Sequence, residues 1–389
     1  MTTRLDDIDA QMASLIRRSV KSILDNQNSI GAIVASPDFA EYGFCWLRDA
    51  SFCAYALDLA GEHDAAARYH NWVRRAVELI TPLMESVTLS QQRGESLIDE
   101  LMPPARFSME GLMVHDDWPN FQIDGYGTWL WSLEQHLHHT GQDSLPKGFV
   151  PVVRTISAYI REFALSSCYD VWEENGTDLH TSTLACIHGG LSSAYRLLGD
   201  DSLRIRADEV RDHLWRSAQE RGHFTKSNVN DDVDASVLWL SKPFGVVDPY
   251  EASFVATASL VQARLELNGG IRRYPTDVYF GSGAWPVLTA SLGWHYAAIG
   301  QLAEARRCLE WVMGHFDDQG SLGEQFDGEL RDPVNHKFWV DKWGPPAKDL
   351  MWSHAMFIVL ALALERARDG AAGHEDRVDG ENDTGERTT

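Results

Sequence analysis

Positive charge is scarce in this chain: 34 Lys and Arg stand against 57 Asp and Glu, a formal net charge of −23. Such a surface repels phosphate backbones and anionic lipid, so the expected partners include neither nucleic acid nor a membrane, and a neutral or cationic ligand fits better. Cysteine is sparse and unpatterned. Cys45, Cys53, Cys168, Cys186 and Cys308 form an odd set with no CxxC and no close pair suited to zinc, so neither a disulfide scaffold nor a structural zinc site is indicated. Free buried thiols in a reducing compartment are the expectation. Long apolar runs are missing too. None approaches the ~18 residues that span a bilayer, and the first residues, Met1 to Asp7, lack the apolar stretch of a signal peptide. A cytoplasmic location follows as an expectation. His136, His138 and His139 fall on one predicted helix without a matched carboxylate cluster, which reads as surface histidine rather than a metal site. No metal or organic cofactor is expected.

What the chain does have is apolar residue in quantity, 44% of 389 residues, recurring at three- and four-residue spacing. That spacing predicts helices near 7–26, 47–60, 64–84, 126–140, 146–166, 181–198, 201–221, 232–241, 250–267, 283–299, 301–315 and 348–367. They form six pairs, with 232–241 the weakest because it is short. Residues 1–368 read as one catalytic-sized domain. Beyond them, 369–389 are Gly-rich, charged and almost free of large apolar groups, the composition of a disordered acidic tail.

Connections between pairs are mostly short, as at Gly61-Glu62-His63, Gly199-Asp200 and Gly300, whereas many within pairs are long. The long ones carry the chemistry. Aromatic, proline and acidic clusters fall in the connections Tyr42–Asp49, Trp118–Gly127, Asp170–Ser182, Arg272–Trp285 and Gly320–Trp352, each leading into the second helix of a pair. An antiparallel helix array whose long loops gather at one end builds a pocket there. The predicted fold is all-α, a closed (α/α)6 barrel of six inner and six outer helices.

Two of these loops hold glutamates among aromatics: Asp170-Val171-Trp172-Glu173-Glu174 and Gly323-Glu324-Gln325-Phe326-Asp327. Hydrolysis of an acetal needs one carboxylic acid to protonate the leaving oxygen and one carboxylate to activate water or attack the sugar. Separated glutamates of this kind are the minimum equipment for a glycosidase. Each has a plainer reading as a helix cap or an ordinary loop residue, and Arg48-Asp49 has one as a surface ion pair.

Five blocks in order resemble glycoside hydrolase family 15, the glucoamylase family: Tyr42-x-x-x-Trp46-Leu47-Arg48-Asp49, Gln122-Ile123-Asp124-Gly125, Asp170 to Glu174, Arg273-Tyr274-Pro275-Thr276-Asp277-Val278-Tyr279, and Ser321 to Asp327. The resemblance implies Glu173 as general acid, with the Trp172 ring offering a route to a raised pKa. It implies Glu324 as general base, supported by Tyr42, with Gln325 as a neutral amide holding it in place. Arg48 and Asp49 are implied to grip the far hydroxyls of the terminal glucose, and Glu174 and Arg273 to meet the leaving-group sugar, with Asp277 orienting Arg273. Trp46, Trp172 and Tyr279 supply flat faces for sugar rings; Gln122 and Asp124 are expected in the pocket wall. The family inverts configuration, which requires carboxyls roughly 6.5–9.5 Å apart with room for one water.

Departures from the family narrow the substrate. The chain carries no starch-binding module and no N-terminal β-sandwich, and the segment Trp118-Pro119-Asn120-Phe121 differs from the fungal pattern on the leaving-group side. The expectation is an exo-acting hydrolase that releases β-glucose from short isomaltose- or maltose-type oligosaccharides. A trehalase of the same family is the alternative within it. An inverting phosphorylase would need basic residues in place of Glu324, and a non-catalytic sugar-binding module would have no need of Glu173 and Glu324 together.

Overall fold

The computed structural model describes the backbone of residues 2–326, 328 and 330–382 and the side chains of 8–326, 328 and 330–369. Helices stand where the apolar spacing puts them: α1 (Thr2–Asp25), α2 (Leu47–Leu59), α3 (His63–Gln92), α4 (Asp124–His139), α5 (Val150–Glu162), α6 (Thr181–Leu198), α7 (Asp201–Arg221), α8 (Ala252–Leu265), α9 (Pro286–Ala298), α10 (Leu302–Met313) and α12 (Met351–Asn382). The short stretch at 232–241 is a 3₁₀ segment, Ala235–Leu240, started by Asp234, whose side chain accepts from the Ser236 amide. One helix was not expected. α11 (Pro333–Trp343) opens on the start signal Asp332-Pro333, with the Asp332 side chain accepting from the Asn335 amide, but buries no residue fully and sets only Trp339 and Val340 against a small cluster around Phe280, so it shows no broad apolar stripe. α12 runs past its predicted end at 367, and the backbone of residues 369–382 of the expected tail continues it as helix, where Ala, Glu and Arg favour that conformation; residues 383–389 and the motif residue Asp327 lie outside the described residues.

Six segments close a ring: α2 packs on α4, α4 on α6, α6 on the 3₁₀ segment, that segment on α9, α9 on α12, and α12 back on α2. Outside it, α1 leans on α12, α3 on α2, α5 and α7 on α6, α8 on the 3₁₀ segment and α10 on α9. This is the (α/α)6 barrel. The two layers differ in sequence because they differ in solvent. α2 buries every residue from Leu47 to Ala54, and α9 every residue from Pro286 to Ala297, as helices enclosed on all sides must. α5 buries only the stripe Val152, Val153, Ile156, Ser157, Tyr159 and Ile160. Close packing of α4 on α6 rests on two glycines. A Cβ on Gly127 would stand 2.3 Å from the Cys186 carbonyl oxygen, and one on Gly190 2.5 Å from the Gly127 Cα.

Two short antiparallel pairs trim the loop end. β1 (Cys45–Trp46) pairs with β2 (Arg106–Phe107), setting Trp46 opposite Arg106, and β3 (Glu266–Leu267) pairs with β4 (Gly270–Ile271) just before Arg273. All five cysteines are free and buried. Among the described residues, no helix is long and apolar enough to cross a membrane. One sequence expectation is overturned in part: His138 is exposed, but His136 is buried and bonded to Asp58, a carboxylate that a different helix delivers. Spacing along α4 alone could not reveal that partner.

Candidate active site

The long loops converge at the N-terminal ends of the inner helices, around a cavity of about 280 Å³. Ten of the residues singled out from sequence line it: Tyr42, Trp46, Arg48 and Asp49 from the first loop, Trp172, Glu173 and Glu174 from the third, Arg273 and Tyr279 from the fourth, and Glu324 from the fifth. The cavity is small for a ligand pocket, so it suits a short substrate.

Glu173 owes its position to a strained turn. Its φ is +60°, the left-handed region that costs a non-glycine residue roughly 1–2 kcal/mol, and a brace holds it there. Asp170 Oδ1 accepts from the Trp172 and Glu174 amides, both at 2.9 Å. Asp170 Oδ2 takes Lys226 Nζ at 2.8 Å; the same ammonium reaches Asp234 at 2.9 Å, and Asp234 accepts from Trp172 Nε1 at 2.9 Å. Sequence reading missed this brace, because Lys226 and Asp234 come from a stretch with no motif of its own.

Arg48 sits at the hub of the opposite wall. Its guanidinium donates to Asp49 at 3.0 Å, to Asp124 at 3.0 Å and to Glu173 Oε1 at 3.3 Å, and lies over the Trp352 ring. Gln122 also donates to Glu173 Oε1, at 3.3 Å, and to the Asp170 carbonyl. Gln122 and Asp124 therefore stand one layer behind the cavity, aiming residues that line it. Arg273 is gripped by Asp277 through Nε at 3.0 Å, donates to Glu174 at 3.2 Å and lies between the Trp172 and Tyr279 rings. Tyr274 donates to the second Glu174 oxygen.

Glu324 enters from the far side on a loop fixed by backbone. Its amide donates to the Ala347 carbonyl at 2.9 Å, and the Phe326 amide to the Ala284 carbonyl at 2.8 Å. Gln325 does not touch Glu324; its Oε1 accepts from the Gly283 amide at 3.0 Å, tying this loop to the one before α9. Tyr42 donates to Glu324 Oε1 at 2.7 Å, and with its proton so committed it accepts from Tyr279 at 2.8 Å. Glu324 is 2% exposed, and its Oε2 has no partner among the described residues.

Burial is the main reason both carboxyls hold protons more tightly than usual. Glu173 is pushed up to about 7, with Arg48 opposing and Asp49 adding to the shift. Glu324 is pushed up to about 8, with the Tyr42 hydrogen bond and Arg273 opposing and the Glu173 charge adding. The Glu173 charge helps to raise Glu324, so the titrations belong to the pair rather than to either residue alone.

Further wall residues were not singled out: Trp285 behind Trp172, and Trp339, Lys342 and Trp343 from α11. The aromatic spacing in α11 was their only signal.

A helical barrel that brings two separated carboxyls, one buried and one half-buried, into a single aromatic-lined cavity has the equipment of a glycoside hydrolase. The chain belongs to glycosyl hydrolases family 15, whose model matches residues 11–307. It is 35% identical over 362 residues to isomaltose glucohydrolase of Kribbella flavida, covering 91% of this chain and 94% of that one. Similarity to trehalase 2 of Sulfolobus acidocaldarius is lower, 23% over 77% of this chain and 56% of that protein. Among solved structures, a wild-type glycosidase superposes with a TM-score of 0.88 at 35% identity, covering 92% of this chain and 98% of its own. A glucoamylase from Saccharomycopsis fibuligera shares the fold, with a TM-score of 0.71 at 16% identity over 92% of this chain and 95% of that one.

Proposed function

We propose that this chain is an inverting exo-α-glucosidase that cuts glucose from the non-reducing end of short isomaltose-type oligosaccharides in the cytoplasm. One observation carries the assignment: Glu324 lines the same cavity as Glu173 and has one oxygen held by Tyr42 and the other, Oε2, unpaired. A buried carboxylate oxygen without a partner is suited to take a proton from a bound water. That water attacks the anomeric carbon while Glu173, whose side chain is 20% exposed against 2% for the Glu324 residue, protonates the departing oxygen.

Productive hydrolysis needs the shared proton on Glu173 and the charge on Glu324. The Tyr42 bond to Oε1 already lowers Glu324, which still stands above Glu173, so the further stabilisation that puts the charge on Glu324 comes from water donating to Oε2. Arg48 and Asp49 hold the hydroxyls of the terminal glucose, and the charged hydrogen bonds there fix the ring's orientation. Arg273 and Glu174 meet the leaving-group sugar, with Trp339 and Trp343 as its outer walls. The α-1,6 preference rests on the 35% identity to an isomaltose glucohydrolase that is covered almost end to end.

The test is a panel of maltose, isomaltose, nigerose, kojibiose, trehalose and maltodextrins, compared by kcat/KM because discrimination is expressed in that ratio. Isomaltose should lead. Turnover of trehalose alone would move the assignment to a trehalase, and binding without turnover of any of them would make the chain a sugar-binding protein.

A further inference from the structure

A second constellation lies at the opposite end of the barrel. Asp58 in the last turn of α2, His70 in α3 and His136 in the last turn of α4 bring a carboxylate oxygen and two ring nitrogens within 4.8 Å of one another. Arg48 and Asp58 lie on one helix, about 15 Å apart along its axis, which puts the cluster outside the hydrolytic machinery. All three side chains are buried. His136 Nδ1 stands 3.0 Å from both Asp58 oxygens, and His63 Nδ1 stands 2.8 Å from Asp58 Oδ1. His70 is 1% exposed, yet neither of its ring nitrogens has a hydrogen-bond partner among the described residues; its ring centre is 5.0 Å from that of His136.

Hydrogen bonds from His63 and His136 meet the Asp58 oxygens but bring a positive charge only when an imidazole is protonated, and among the described residues nothing meets His70. A carboxylate at the C-terminal end of a helix meets the negative pole of the helix dipole, and with no water around it a positive charge is required nearby. An imidazole with both nitrogens unpaired leaves a donor and an acceptor unsatisfied. A cation between them answers both. We propose that Asp58, His70 and His136 bind a divalent transition-metal ion, zinc foremost, which clamps α2, α3 and α4 together at the closed end of the barrel.

Two imidazoles and one carboxylate are a zinc-type donor set, with water in the fourth position. Ligand bonds of about 2.0–2.2 Å draw the three donor atoms closer than their present span, a change that side-chain rotation supplies. His63 hydrogen-bonds Asp58 Oδ1 and orients the carboxylate for the metal. Its side chain is 40% exposed, so it also marks the path by which an ion reaches the site. The ion is structural. The odd cysteine count and the spacing along α4 hid it from sequence, because its ligands come one from each of three helices.

The full-length, untagged chain is stripped with chelator and titrated with Zn²⁺ by calorimetry, beside His70→Phe and His136→Gln, with circular dichroism reporting the fold of each. The expected result is one Zn²⁺ per wild-type chain, a higher Tm on binding, an unchanged hydrolysis rate below Tm, and binding at least roughly 100-fold weaker in His70→Phe. Co²⁺ should give wild type the intense visible bands of a four-coordinate site. Absence of stoichiometric Zn²⁺ binding, or equal binding by wild type and folded His70→Phe, would overturn the proposal. If neither variant folds, the wild-type Co²⁺ spectrum decides: weak six-coordinate bands would sink it.

Discussion

The two loops that deliver the carboxyls hold them by different means. Glu173 rides a strained left-handed turn that backbone bonds between Asp170, Glu173 and Glu174 start and side chains brace: Asp170 on the backbone amides, Lys226 on Asp170, Asp234 on Lys226 and on Trp172. Glu324 rides a loop held by backbone hydrogen bonds to Ala347 and Ala284 and by the side chains of Gln325 and Ser353, and among the described residues only Tyr42 hydrogen-bonds its carboxyl. The difference fits the two proposed roles. A proton donor must meet a leaving group that comes and goes at the mouth, so its aim is fixed by many partners. A base must keep one oxygen free for water, and every added partner would compete for it.

The largest expected effect comes from removing either carboxyl. Glu173→Gln and Glu324→Gln should each lower kcat on isomaltose by about 10³-fold or more, with sugar binding retained. The roles separate on an aryl α-glucoside, whose leaving group departs without a proton. There Glu173→Gln should regain most of its rate and Glu324→Gln should not. The reverse pattern would exchange the acid and the base.

Next in size is the brace. Lys226→Met leaves Asp170 and Asp234 as uncompensated buried charges, which costs about 3–5 kcal/mol of stability and frees the Glu173 turn. Thermal unfolding should show a lower Tm, and kcat should fall although Lys226 is absent from the cavity wall. An unchanged kcat in the folded variant would mean that the turn holds its shape unaided.

Tyr42→Phe probes the sparer loop. A hydrogen bond to a charged carboxylate is worth about 1.5–3 kcal/mol, so kcat/KM should drop roughly 10–100-fold. The pH profile carries the sign. The pair must hold one proton, so rate falls on the acid side when both carboxyls are protonated and on the alkaline side when both are ionised. Glu173 at about 7 and Glu324 at about 8 set the bell in the neutral range, above that of ordinary carboxylates. Loss of the Tyr42 donor removes a contribution that lowers the Glu324 pKa; because Glu324 is already the higher of the pair, the alkaline limb should move to higher pH and the maximum should fall.

Much of this was legible in the chain itself. The inner helices, the long loops and the two glutamates stood out because local spacing and composition encode them, and the cavity gathers Tyr42, Arg48, Glu173, Arg273 and Glu324 as one group. What stayed hidden depends on contacts between distant segments. Lys226 and Asp234 have meaning only beside Asp170; Asp58 makes His136 a buried partner; and α11 turns its Trp339 and Trp343 to the cavity instead of the core, so no buried stripe announces it. Gln325 was matched to Glu324 by adjacency, whereas its amide bonds the neighbouring loop.

Proton NMR of the sugar first released, followed on the substrate turned over fastest, bears most directly on the pairing of Glu173 with Glu324. Water activated by Glu324 on the face opposite Glu173 yields β-glucose first, with the α-anomer growing in only by mutarotation. Early α-glucose would mean retention, and the assignment of Glu324 as a base acting through water would be wrong.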